Sequence, residues 1–257
     1  MPYLQIPRFH FLGLQIDIFG VLVATGFLLG SHLAARRAVR MGLSPLPIHD
    51  AALLAILCGM FGAHLMHLVA YFPKELIEKP WRIFQVWSGI SSFGGFLGAG
   101  LAIWYYFHRK KIPFYPYADA LMFGMAPGWI CGRLGCYTAH DHPGRLTDFF
   151  LAVKYPGGSR HDLGLYDALL AMAMTGVVYF LGRKNAKPRP PGFFYALVLI
   201  LYGIPRFFFD HLRAVDVPRP DARYFGWTPG QYLAAALVTF GAYQMVRAYR
   251  QESASTD

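Results

Sequence analysis

Ala51-Ala52-Leu53-Leu54-Ala55-Ile56-Leu57-Cys58-Gly59-Met60-Phe61-Gly62-Ala63-His64-Leu65-Met66-His67-Leu68-Val69-Ala70-Tyr71-Phe72 carries no Asp, Glu, Lys or Arg. A helix rises about 1.5 Å per residue, so a run of this length covers the roughly 30 Å of a bilayer's hydrocarbon core. It has no charged face to turn towards water, which makes lipid its natural solvent. Similar runs lie on both sides. Residues 16–35 hold one charge, Asp17, at their start, and residues 192–204 and 230–246 hold none. Residues 91–107, 117–131 and 164–181 are shorter or richer in glycine but fit the same element. The expectation is an all-α, polytopic membrane helix bundle of about seven transmembrane helices. It forms a single integral membrane domain over residues 1–257, with spans near 16–35, 51–72, 91–107, 117–131, 164–181, 192–209 and 230–246.

Composition agrees. Apolar residues make up 55% of the chain and charged residues 15%, against about a quarter charged in a soluble domain. The net charge of +10 does not call for nucleic acid, because basic residues beside spans set topology and meet anionic headgroups. No basic cluster precedes the first apolar run and no small-residue cleavage site follows it, so that run is expected to stay as a span. Cys58, Cys131 and Cys136 are too few for a disulfide framework. Basic clusters end spans one, three, five and seven: Arg36, Arg37 and Arg40; Arg109, Lys110 and Lys111; Arg183, Lys184, Lys187 and Arg189; Arg247 and Arg250. They place the C-terminus on the cytoplasmic side. Gly94, Gly98 and Ala102, and then Gly124, Gly128 and Gly132, recur every fourth residue, a spacing that lets helix backbones approach within a membrane.

Polar chemistry concentrates in two places. Gly132-Arg133-Leu134-Gly135-Cys136-Tyr137-Thr138-Ala139-His140-Asp141-His142-Pro143-Gly144-Arg145 follows an apolar helix directly, and Arg206, Asp210, His211 and Arg213 end span six. Arg206 and Asp210 are one turn apart, and Arg213 returns to their face after two turns. Ionisable groups at membrane depth face a partner or a wet cavity. Two readings follow. Arg133 and Arg206 could converge as a clamp on phosphate, whose oxygens match the guanidinium fork; or they could merely neutralise Asp141 and Asp210. His64 and His67, one turn apart, could join His140 and His142 at a metal, but hydrogen-bonded helix histidines are the more frequent case. Cys136 beside Arg133 could serve as a nucleophile or simply fill space, and the second reading is the plainer one. Trp81, Trp87, Trp104, Trp129 and Trp227 sit near span ends, as an interfacial aromatic belt does.

These residues resemble the signatures of the prolipoprotein diacylglyceryl transferase family. That family carries Gly-Arg-x-Gly-Asn-Phe-x-Asn-Gly-Glu-x-x-Gly, and this chain keeps Gly132, Arg133, Gly135 and Gly144, with Tyr137 as the aromatic and Asp141 as the acid. The family's Arg-x-x-x-Glu-x-x-Arg is similar to Arg206, Asp210 and Arg213. Its Arg-His-Pro-Ser-Gln-Leu-Tyr-Glu is similar to Arg160-His161 with Leu165-Tyr166-Asp167. Trp87 and Ser92-Phe93-Gly94-Gly95 resemble the family's approach to span three, and Gly230-Gln231 its last span. The chain departs where Phe93 runs into Gly94 without the family's histidine, where Phe19 stands for a tyrosine, and where Cys136 and Ala139 replace two asparagines.

The resemblance implies an inner-membrane enzyme that moves the diacylglyceryl group of phosphatidylglycerol to a lipobox cysteine in the signal-peptide region of a prolipoprotein. Glycerol phosphate is released, and no metal or other cofactor is needed. The thiol needs a base, for which His140, Asp141 and His142 are the candidates. Arg133, Arg206, Arg213, Asp210, Gly144 and Tyr166 would bind substrate. The alternatives are a divergent relative with another lipid or acceptor, and a histidine-based metal-dependent membrane hydrolase.

Overall fold

The structure, a computed structural model, describes residues 1–4, 9–11, 14–71, 73–86, 89, 91–183, 189–217, 220–221 and 223–254; the side chains of residues 9–11, 14–16, 70–71, 73–75 and 92–93 lie outside the description. Trp87 falls outside it as well. In chain order the elements are β1 (Phe9–Phe11), β2 (Leu14–Ile16), α1 (Ile18–Arg40), α2 (Leu46–Met66), α3 (Pro73–Glu78), α4 (Ser92–Lys110), α5 (Phe114–Ala139), β3 (Pro143–Leu146), β4 (Val153–Tyr155), β5 (Gly158–Asp162), α6 (Leu163–Leu181), α7 (Phe193–Phe209) and α8 (Pro229–Ala254). A π-helical turn, His67–Tyr71, extends α2, and a 3-10 turn, Asp210–Leu212, extends α7.

Among the described residues, four helices are long and apolar enough to cross a membrane: Ile18–Arg40, Leu46–Val69, Leu163–Leu181 and Phe193–Leu212. The helices α4, α5 and α8 have the length, at 19, 26 and 26 residues, but are less apolar, α4 ending in His108-Arg109-Lys110 and α8 carrying Arg247, Arg250 and Glu252. Against the seven spans expected, four helices thus meet the criterion among the described residues, and two small antiparallel sheets accompany the bundle, β1-β2 and β3-β5-β4. The turn between β4 and β5 is Tyr155-Pro156-Gly157-Gly158, with Gly157 at φ 91°. Proline followed by a positive-φ glycine suits a type II turn, and this Pro-Gly signal marks a hairpin that hydropathy alone passes over.

The chain divides into two compact units, residues 1–37 with 118–257, and residues 38–117. In the second unit α2 packs on α4 through glycine. A Cβ on Gly94 would stand 2.1 Å from the Gly62 carbonyl oxygen, and one on Gly98 would stand 2.4 Å from that of Cys58. His64 is fully buried, and its ring nitrogens lie 3.1 Å from the Gly89 carbonyl and 2.7 Å from that of Arg82. The Tyr106 hydroxyl donates to Asp50.

The first unit holds the polar chemistry. Its α1 and α5 cross on glycine: a Cβ on Gly124 would meet the Gly30 carbonyl at 1.9 Å, and one on Gly128 would meet that of Gly26 at 2.5 Å. Gly132 continues the four-residue spacing but has nothing within 4 Å. Side chains then tie helix ends together. Buried Asp119 on α5 accepts from the backbone N–H of Gly192 at 2.7 Å and of Tyr195 at 2.8 Å, capping α7. Arg37 donates to the Gly182 carbonyl at 3.0 Å, beyond the last turn of α6, and stacks on Phe123. Both contacts put charge at the helix end whose unpaired backbone groups favour it. Phe123, Met174, Val178, Phe193, Phe194 and Val198 fill the core between α5, α6 and α7.

Membrane helices associate by close packing rather than by hydrophobicity. Gly124→Ala is therefore expected to lower the thermal midpoint of the detergent-purified protein and its yield, and Gly132→Ala to leave both unchanged. Fluorescence-detected size exclusion after a heating series checks the contrast; equal behaviour of the two variants would rule this packing out.

Candidate functional site

The site lies where α5 ends and α6 begins. Close approach is possible because Gly164 has no side chain: a Cβ there would stand 2.7 Å from the Tyr137 backbone nitrogen. One turn further on, Asp167 is fully buried. Arg133 of α5 reaches its Oδ2 at 3.1 Å, and Arg206 of α7 approaches the same oxygen at 3.7 Å. Two guanidinium groups from distant stretches of sequence thus share one carboxylate. Of the pairings expected from sequence, Arg206–Asp210 forms, at 2.8 Å, whereas Arg133 takes Asp167 as its partner and not Asp141. Arg133 also donates to the Tyr202 hydroxyl at 3.1 Å and lies over the Trp129 ring at 4.5 Å. Trp129 therefore lines the cluster.

Asp210 forms the second node. Its Oδ1 is ion-paired with Arg206 at 2.8 Å and accepts from Arg213 at 3.1 Å, and its Oδ2 accepts from the Thr228 hydroxyl at 2.5 Å. Arg213 extends outward to Asp221 at 2.6 Å. Thr228 and Gln231 form a capping box at the start of α8: the Gln231 N–H donates to the Thr228 hydroxyl at 3.2 Å, and the Thr228 N–H to Gln231 Oε1 at 3.0 Å. The geometry leaves capacity for a ligand. Arg206 Nη1 is buried yet makes no hydrogen bond among the described residues, and neither Asp167 oxygen accepts one. These are ion pairs without hydrogen-bond alignment, and a phosphate oxygen could supply the missing acceptor.

The other expected residues fall into two groups. Asp141 and His142 stand beside the cluster with Cys136, their ligand atoms all within 4.8 Å of one another. Crowding by neighbouring atoms pushes the Asp141 carboxyl up, against the charge of Arg133, although much of its side chain stays exposed. Burial, followed by Arg213, Arg133 and Arg206, lowers His142 to about 3, so its ring is neutral at ordinary pH. His140 faces elsewhere. Its Nδ1 lies 3.1 Å from Asp162 Oδ2, its Nε2 lies 3.1 Å from the Leu4 carbonyl, and Tyr3 stacks on the ring. Asp162 also caps α6 through the Leu165 N–H at 2.9 Å and accepts from Tyr155 at 2.7 Å. Tyr166 belongs to a small core with Val153, Leu163 and Leu165, its hydroxyl 2.6 Å from His161 Nδ1. Gly144 is packed so that a Cβ would meet His161 Cβ at 2.7 Å and the Leu212 carbonyl at 2.8 Å, and it bridges to Arg213 through the backbone.

Sequence reasoning placed Asp167 in the Leu165-Tyr166-Asp167 resemblance without giving it a site role, and gave none to Tyr202, Trp129 or Thr228. A solitary carboxylate inside an apolar span was the available signal for Asp167. Tyr202 lies one helical turn before Arg206.

Comparison with known proteins fits this arrangement. The family model described as "Prolipoprotein diacylglyceryl transferase" matches residues 7–247. The chain belongs to the prolipoprotein diacylglyceryl transferase family. Relatives named phosphatidylglycerol–prolipoprotein diacylglyceryl transferase include one from Chromohalobacter salexigens, 32% identical over 92% of this chain and 90% of its own. Another is from Photobacterium profundum, 33% identical over 93% and 91%, and a third from Pseudomonas paraeruginosa, 32% identical over 94% and 92%. Membership in the diacylglyceryl transferase family supports an enzymatic function for the protein. It also locates the departures. The signature's first asparagine, its glycine and its glutamate fall on Cys136, His140 and Asp141. His140 retains the left-handed backbone a glycine adopts easily, at φ 51°, which costs a residue with a Cβ about 1 kcal/mol.

Removing one partner of a buried ion pair costs about 3–5 kcal/mol, because the other charge is left uncompensated. Asp167→Asn keeps the shape but leaves Arg133 and Arg206 facing each other, so a loss of that order is expected. Unfolding of the purified protein in mixed micelles measures it, with exposed Asp148→Asn as reference; an unchanged midpoint would show that Asp167 does not hold the cluster.

Proposed function

We propose that this protein is an inner-membrane phosphatidylglycerol–prolipoprotein diacylglyceryl transferase with seven membrane-spanning helices and a cytoplasmic C-terminus. The convergence of Arg133 and Arg206 on the buried Asp167 carboxylate carries the reading. In the proposed reaction a lipobox thiol loses its proton, and its sulfur bonds to the glyceryl carbon that carries the phosphate. The carbon–oxygen bond to phosphate breaks, and glycerol phosphate departs with the electron pair. Negative charge grows on the leaving phosphate, so preorganised cations at that position lower the barrier more than they stabilise the bound lipid.

Arg133 and Arg206 are assigned to the phosphate. Arg213 and Asp210 keep the Arg206 fork in place, and Gly144 gives the strand beside Arg213 room to approach. Tyr166 supports the wall through His161. Thiol deprotonation is assigned to the corner formed by Cys136, Asp141 and His142. His140, with both ring nitrogens engaged by Asp162 and Leu4, is assigned to holding the chain that leads out of α5. The same engagement speaks against an all-histidine metal centre: both ring nitrogens of His64 face carbonyls too.

Lysine preserves the charge opposite Asp167 but not the planar fork. Arg133→Lys and Arg206→Lys are expected to remain folded while transfer from phosphatidylglycerol vesicles to a lipobox peptide falls about a hundredfold or more. Undiminished transfer by both variants would sink the clamp.

A companion pair separates the histidines. His142→Gln should lower transfer at unchanged melting temperature, and His140→Gln should lower the melting temperature first. The reverse pattern would reassign the proton-handling corner.

A further inference from the structure

We propose that Cys136, Asp141 and His142 form a three-ligand site for a zinc-type divalent cation whose fourth position accepts the incoming lipobox thiol. The inference deepens the transferase reading and rests on it for the identity of that fourth ligand.

The argument begins with donor chemistry. A thiolate sulfur, an imidazole nitrogen and a carboxylate oxygen are the donors zinc takes, and three protein ligands with one open position distinguish its catalytic sites from its structural ones. Here the three donor atoms lie within 4.8 Å of one another. Bond lengths of about 2.0–2.3 Å around a tetrahedral ion put ligands roughly 3.5 Å apart, so small side-chain rotations close the site. Asp141 and His142 can make them, because they sit on the short connection between α5 and β3 with 43% and 23% of their side chains exposed. The pair is not explained by a hydrogen bond, since His142 Nε2 and Asp141 Oδ1 are 3.7 Å apart, beyond hydrogen-bond reach.

Nearby arginines would repel a cation if their charges were uncompensated. They are not. Arg133 is paired with Asp167 at 3.1 Å, and Arg213 with Asp210 at 3.1 Å and Asp221 at 2.6 Å. Thiolate and carboxylate would together offset the ion's two positive charges. Arg133 lies one helical turn before Cys136 on α5, so the two side chains leave the same face of that helix. The site therefore borders the phosphate clamp.

Such an ion would supply what the transfer needs from the acceptor. A thiol bound to zinc is deprotonated outright, its proton leaving to solvent. The bound thiolate then forms the sulfur–carbon bond as the carbon–oxygen bond breaks, and glycerol phosphate leaves as the dianion. Charge balances, one thiolate and one phosphodiester monoanion giving a neutral thioether and a dianion.

The test uses the full-length protein in phosphatidylglycerol nanodiscs, stripped with chelator and titrated with Co²⁺ alone and then Zn²⁺ alone. Expected are one cobalt per chain and a near-ultraviolet sulfur-to-cobalt absorption displaced by zinc. The band should vanish in Cys136→Ala and in His142→Ala and persist in Cys58→Ala and Cys131→Ala. Chelated protein should lose transfer by about a hundredfold, the scale of a lost thiol activation, and regain it with zinc. No cobalt band, or a band that survives Cys136→Ala, overturns the site. Full transfer by metal-free protein overturns the ion's role and leaves the transferase reading standing. A specific cobalt site without transfer under any condition upholds the metal site and removes the transferase reading.

Discussion

Everything at the site depends on a carboxylate that water cannot reach. Asp167 has no exposed surface, and the two guanidiniums nearest its Oδ2 come from α5 and α7. An isolated ionised carboxylate at such a position would be untenable, as would two facing cations. Each is tolerated because of the other. This constraint orders the helices around it: α6 must bring Asp167 inward, which requires Gly164 to lie against the Tyr137 backbone, and α7 must enter at a fixed height, which Asp119 enforces by holding its first turn. Substrate chemistry and helix assembly are therefore not separable here. The charges that would meet phosphate are also the ones that position the helices.

A second assembly secures the chain outside the bundle. Asp162 simultaneously caps α6, accepts from Tyr155 and faces His140. Tyr3 closes over the His140 ring, and the Lys154 N–H donates to the Met1 carbonyl at 3.0 Å. Arg160 spans from the Gly144 carbonyl at 3.1 Å to both oxygens of Asp216, which holds that exposed carboxyl below its usual range. The strands β3 to β5 are thus fastened at both margins. The segment that carries Asp141 and His142 has firm supports on either side while its own side chains keep room to turn.

Legibility in the sequence followed the physics of each feature. The spans at 16–35, 51–72 and 192–209 were plain because uninterrupted apolar length is a one-dimensional property, whereas 164–181 read as a weaker run and 230–246 as a clean one, and it is α6 rather than α8 that has the apolar length to cross a membrane. The hairpin at Pro156-Gly157 is invisible to hydropathy because its strands are short and half polar, and only its turn residues mark it. Arg206, Asp210 and Arg213 could be grouped because helical spacing alone places them on one face. Arg133 could be suspected but not paired: its partner Asp167 lies 34 positions along the chain, and no local pattern encodes that contact. His140 and His142 looked interchangeable in sequence, being two residues apart. The fold separates them because His140 adopts a left-handed backbone, turning its ring towards Asp162 and leaving His142 beside Cys136.

The junction between α8 and Asp210 has a consequence for how the protein is made. A Cβ on Gly230 would lie 2.0 Å from Asp210 Oδ2, and the Thr228 hydroxyl donates to that same oxygen. The final helix is thus a keystone placed directly on the charged cluster. During synthesis the preceding helices emerge first, and until the last one is threaded the cluster lacks its closing donor. A chain stalled before Thr228 therefore presents an unfinished ionic core, its Asp210 carboxylate still short of the hydroxyl that closes it.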